Sequence, residues 1–135
     1  MFWLSHHRED EYNRTYVLGG LRICARCLGT YPVLLGCMVG LFAIRAPLQW
    51  KWDVPAVLGL TLPALVDWAL GRFRPASGSN PVRILTGVLL GLALGRSLYI
   101  HVQRPLPTVL LAQAALVTAV AVPVILATYR RPRPD

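Results

Sequence analysis

Residues Leu106–Thr128 read LPTVLLAQAALVTAVAVPVILAT, a run without a single charged side chain, closed by Tyr129-Arg130-Arg131-Pro132. Crossing a hydrocarbon core of about 30 Å takes about 20 apolar residues, so this run is long enough to span a bilayer. Three shorter runs precede it. Leu28–Ile44 ends at Arg45-Ala46-Pro47, Val54–Leu70 ends at Gly71-Arg72, and Ile84–Ile100 is interrupted by Arg96. Backbone in lipid must satisfy its own hydrogen bonds, so each run is predicted as a helix. The expectation is an all-α fold: one integral membrane domain over residues 1–135, with four transmembrane helices at about 28–44, 54–70, 84–100 and 106–128. The first three are near the short limit, and interfacial residues are expected to complete them. Pro63 and Pro123 lie within spans and are expected to bend them.

Composition agrees. The chain of 135 residues is 55% hydrophobic and 15% charged, with a mean hydropathy of +0.49, against about 25% charged residues in soluble domains. The net charge of +8 sits in the gaps between apolar runs rather than on a face. This excludes nucleic acid as the expected partner and points to membrane lipids, including anionic headgroups. The N-terminal segment, the loop between spans two and three, and the tail carry ten arginines. The other two loops carry only Arg45, Lys51 and Arg104. The positive-inside rule therefore puts both termini in the cytoplasm, with Trp50 and Trp52 as anchors at the outer edge. Met1-Phe2-Trp3-Leu4 lacks the basic-then-apolar order of a signal peptide.

Candidate chemistry gathers at the cytoplasmic face. Cys24-Ala25-Arg26-Cys27 is a C-x-x-C at the entry to span one, and His6-His7-Arg8 lies upstream on the same side. Two thiolates with one or two imidazoles make a tetrahedral set for zinc, with iron as the less favoured metal. The alternative is a pair of solvated histidines. Cys37, deep in span one, reads as a small packed hydrophobe. Asp67, within span two, needs an arginine partner or a polar pocket, and either a structural ion pair or a catalytic role fits it. Arg26 and Arg83 are expected at its depth. Arg96, about 20 Å beyond Arg83, is expected to snorkel outward beside Tyr99 and His101. The loop Arg72–Arg83 is basic and carries Ser79 and Asn80 at the start of span three, where an anion is favoured. A topology-setting loop with a helix cap is the plainer reading. Gly36 with Gly40, and Gly87 with Gly91 and Gly95, form small-residue stripes for internal packing or for self-association.

At these residues the chain resembles the domain-of-unknown-function 2085 family of small prokaryotic membrane proteins. The resemblance rests on His6-His7-Arg8, on Cys24-Ala25-Arg26-Cys27-Leu28-Gly29-Thr30-Tyr31, on Asp67, on Ser79-Asn80-Pro81-Val82-Arg83, and on Gly87 with Gly91. It covers most of the first three spans. It implies the membrane fold and the importance of the thiol end, and no reaction. His6 stands where the family pattern has Cys, and the stretch up to Arg14 is longer and more acidic.

Three functions follow from the residues. One is a metal centre with ligands His6, His7, Cys24 and Cys27. A second is a thiol–disulfide or quinone-linked oxidoreductase, disfavoured by cysteines facing a reducing compartment. The third binds or turns over anionic lipids or phosphate esters through Arg26, Ser79, Asn80 and Arg83, with Asp67 as base. A homo-oligomer or a larger membrane complex is compatible with each. Nucleotide-binding and zinc-protease motifs are absent from the sequence.

Overall fold

A computed structural model describes residues 15–19, 21–74 and 78–129. Four helices carry the chain back and forth: α1 (Ala25–Ala43), α2 (Trp50–Phe73), α3 (Asn80–Gln103) and α4 (Thr108–Tyr129). All four are long and apolar enough to cross a membrane. Helices α2 and α3 begin four residues before the apolar runs they contain and end three residues after them. Their polar ends belong to the helix because those side chains find partners, so the spans are longer than hydropathy alone marks. Pro63 and Pro123 sit inside unbroken helices, as do Pro32 and Pro55.

Ahead of α1 lies an element outside the all-α expectation. Strands β1 (Thr15–Leu18) and β2 (Leu21–Cys24) pair antiparallel, with Thr15 opposite Cys24 and Leu18 opposite Leu21. Gly19 has φ +55° at the turn, a left-handed conformation that glycine adopts without steric penalty. Two short strands around Gly19-Gly20 are a recognised hairpin signal, but four-residue strands are too brief to show in hydropathy. The hairpin feeds directly into α1 and fixes where Cys24 emerges.

The helices pack in the order α1–α3–α2–α4, with a shorter contact between α3 and α4. The α1–α3 seam is made by glycine. A Cβ added at Gly29 would meet the Ile84 carbonyl oxygen at 2.4 Å; at Gly87, the Arg26 carbonyl oxygen at 2.4 Å; at Gly91, the Thr30 carbonyl oxygen at 2.6 Å. Gly95 receives Cys37, whose Cβ and Sγ would lie 2.8 and 3.0 Å from such an atom. The stripe on α3 is therefore used within the chain. A Cβ added at Gly36 or Gly40 would meet nothing within 4 Å among the described residues, so that stripe is open. Without a hydrophobic drive between helices in lipid, close backbone approach supplies the packing.

The remaining helices meet through polar groups at mid-span. Ser97 donates to Gln113 Oε1 at 2.6 Å, and Gln113 Nε2 donates to Thr61 Oγ1 at 2.9 Å. All three residues are buried, which ties α4 to both α2 and α3. Below them a small apolar core forms from Val57, Ala93, Tyr99, Ile100 and Val109. Outward-facing residues are Leu, Val and Ile, including Leu35, Leu62, Leu85 and Leu111, as a lipid-facing surface requires.

Candidate functional site

Three helix ends converge where α1 and α3 begin and α2 finishes. Cys24 is the N-cap of α1 and Cys27 lies in its first turn. A C-x-x-C at this position brings both thiols to one side of the helix start, where the Cys24 side chain acts on Cys27. Both are free thiols, and the Arg26 guanidinium lies close enough to act on Cys27 electrostatically.

Arg26 forms an ion pair with Asp67, reaching from α1 to α2. Their side chains are 22% and 11% exposed, so the pair is largely withdrawn from solvent. The depth expected for Asp67 holds, and Arg26 is its partner. Among the described residues the only other carboxylate is Asp53, at the far end of the bundle. The Nε–H of Arg26 is buried and donates to no acceptor among the described residues.

Arg83, in the first turn of α3, is 8% exposed and contacts the Asn80 side-chain oxygen at 3.4 Å. Its backbone N–H donates to the Ser79 carbonyl, while the Ser79 hydroxyl makes no cap to the helix. Gly78 closes on this group. It has φ +91°, and a Cβ there would sit 3.3 Å from an Arg83 nitrogen and 3.6 Å from an Asp67 oxygen. Arg26, Asp67, Asn80 and Arg83 are thus brought together beside the dithiol. His6 and His7 lie outside the described residues, and among those described no three His, Cys, Asp or Glu residues form a metal-holding group. Cys37 stands apart, packed on Gly95 as a small hydrophobe.

The opposite end holds a second charged cluster that the apolar runs hid. Arg96 does not snorkel outward. It turns into the protein, with Nε 2.9 Å and Nη2 3.0 Å from the two oxygens of Asp53. Nη2 also donates to the Pro47 carbonyl at 2.7 Å. Asp53 lies in the first turn of α2, which the run Val54–Leu70 excluded by one residue. A bidentate carboxylate within reach outcompetes solvation at the interface. The expected neighbour Tyr99 is present, its ring 5.6 Å from the Arg96 guanidinium, whereas the His101 ring accepts from the Leu106 backbone N–H. The sequence signal for this pair was depth: Asp53 and Arg96 both fall toward the ends of their spans remote from the thiols.

A family model described as a predicted membrane protein (DUF2085) matches residues 7–97, which takes in the hairpin, both thiols, Asp67, Arg83 and the glycine seam. No curated protein and no solved structure matches the chain.

Proposed function

Since this chain belongs to the DUF2085 family of predicted membrane proteins, we propose that its thiol end is a metal centre of a multi-pass prokaryotic plasma-membrane protein. The observation that carries this reading is the placement of Cys24 at the N-cap and Cys27 in the first turn of α1, near enough for the two thiols to act on one another. Two sulfurs held that close are half of a tetrahedral zinc set, and zinc takes mixed Cys/His donors. His6 and His7 complete the set from the N-terminal segment, with both termini in the cytoplasm as the arginine distribution favours.

The role proposed for the metal is to fasten the N-terminal segment across the mouth formed by α1, α2 and α3. The residues around it support its orientation. Arg26 sits between the two sulfurs in sequence and is itself fixed by Asp67. Partners that hold a ligand's backbone in place are what metal affinity depends on beyond the ligands themselves. Asp67 is a positioning residue in this reading, acting through Arg26.

Elemental analysis of detergent-purified protein tests it. About one zinc per chain is expected, lost in a Cys24→Ser/Cys27→Ser variant and reduced in His7→Ala. Metal-free protein that is folded and carries a Cys24–Cys27 disulfide would overturn the metal reading in favour of dithiol redox chemistry. That alternative draws on the same placement of the sulfurs.

A further inference from the structure

A loop at the end remote from the thiols is braced from several sides. Between α1 and α2, Ala46 is held from both sides: its N–H donates to the Leu41 carbonyl at 3.0 Å, and its carbonyl accepts from the buried Tyr99 hydroxyl at 2.8 Å. The Pro47 carbonyl is held by Arg96. Asp53 accepts from the Gln49 backbone N–H at 3.0 Å. Arg45 takes φ +48°, a conformation disfavoured for any residue with a Cβ.

These bonds shape an open cavity of about 540 Å³. One wall is aromatic: Phe42 and Tyr99 meet edge to face with centroids 4.9 Å apart. Leu48 and Pro47 extend the apolar lining, and Arg45 and Gln103 supply its polar groups. Among the described residues neither the Arg45 guanidinium nor the Gln103 amide has a hydrogen-bond or ion-pair partner. The cavity lies just past the end of α1 and near the start of α2, where Trp52 is 72% exposed. That is the level of the headgroups.

We infer that this cavity binds one anionic phospholipid, with its phosphate on Arg45 and Gln103 and its upper acyl segment along Phe42 and Leu48. The charge decides the occupant. Arg96 is neutralised by Asp53, so Arg45 is the unmatched cation facing the cavity, and a guanidinium reads phosphate with paired, charge-assisted bonds. The aromatic wall favours an occupant with a hydrocarbon part over a free anion. This site is independent of the thiol end, and its test does not depend on metal content.

The experiment measures thermal unfolding of the full chain in detergent against added phosphatidylglycerol, phosphatidylcholine or inorganic phosphate. Phosphatidylglycerol is expected to raise the midpoint most. Arg45→Gln is expected to weaken the apparent affinity at least about tenfold, about 1.4 kcal/mol. Arg45→Lys keeps the charge but loses the paired geometry, and is expected to fall between the parent and Arg45→Gln. Gln103→Leu is a second variant, with loss in the same direction. Arg104→Gln, an exposed arginine at the same end, is expected to behave as the parent. A phosphatidylcholine response equal to phosphatidylglycerol, an inorganic phosphate response equal to either, or Arg104→Gln falling as far as Arg45→Gln would overturn the inference.

Discussion

Gly87→Ala is the sharpest probe of the seam on which the thiol end depends. The new methyl would stand 2.4 Å from the Arg26 carbonyl oxygen and 3.1 Å from the Thr30 hydroxyl. Carbon and oxygen ordinarily come no closer than about 3.3 Å, so the helices must part by about 1 Å here. Neither obstacle is the tip of a flexible chain: one is backbone, and the Thr30 hydroxyl is held by its own bond to the Arg26 carbonyl. Overpacking of this kind costs about 1–3 kcal/mol. A gap of that size along the rest of the seam also forfeits about a quarter to a half of each dispersion contact. Against this, alanine gains about 1 kcal/mol of helix propensity over glycine. The forfeited dispersion roughly cancels that gain, so the net expectation is a loss of about 1–3 kcal/mol. Gly36→Ala is the control, because nothing lies within 4 Å of its added methyl. Only the propensity term remains there, so it should be neutral or stabilising by about 0.5–1 kcal/mol. Reversible unfolding in mixed micelles, followed by circular dichroism, measures both. Equal effects from the two substitutions would refute the packing of α1 on α3.

Asp67→Asn leaves the Arg26 guanidinium without its counter-charge. Losing one partner of a buried pair costs about 3–5 kcal/mol, and the 22% exposure of Arg26 brings the expectation down to about 2–3 kcal/mol. Adding Arg26→Gln should recover part of that loss; strictly additive losses in the same unfolding assay would show that the two residues do not interact. Gln113→Leu removes the link between Thr61 and Ser97, but those hydroxyls also bond the Val57 and Ala93 carbonyls on their own helices. The expected loss is therefore modest, about 0.6–1.7 kcal/mol. A loss above about 3 kcal/mol would mean that the bridge carries α4.

The spans were legible because lipid imposes one requirement on every residue of a crossing segment, so a run of apolar letters is close to a direct statement of structure. Asp67 was legible for the converse reason: a carboxylate in such a run requires a cation at its depth, and Arg26 and Arg83 were at hand. What depth does not give is rotation about the helix axis. That Arg26 reaches Asp67 across the bundle, and that Arg96 turns inward to Asp53, depends on which faces meet, and hydropathy is blind to it. The glycines show the same limit. Gly36 and Gly40 have the spacing of Gly87 and Gly91, yet only the α3 pair meets a neighbour. The hairpin was hidden by its size, although Gly19-Gly20 stood in the right place. The thiol pair could be read as a pair from its spacing alone, because four residues at a helix start leave little freedom.

The helix order carries a consequence for biosynthesis. Because α1 lies on α3 rather than on α2, the chain's first span cannot complete its interface while only two spans have left the ribosome. The face that receives the α3 glycines waits through the insertion of α2, and the Arg26–Asp67 ion pair links the early pair. A nascent chain truncated before Asn80 should therefore be held loosely and exposed to quality-control proteases, and one extended through Gln103 should lock into place.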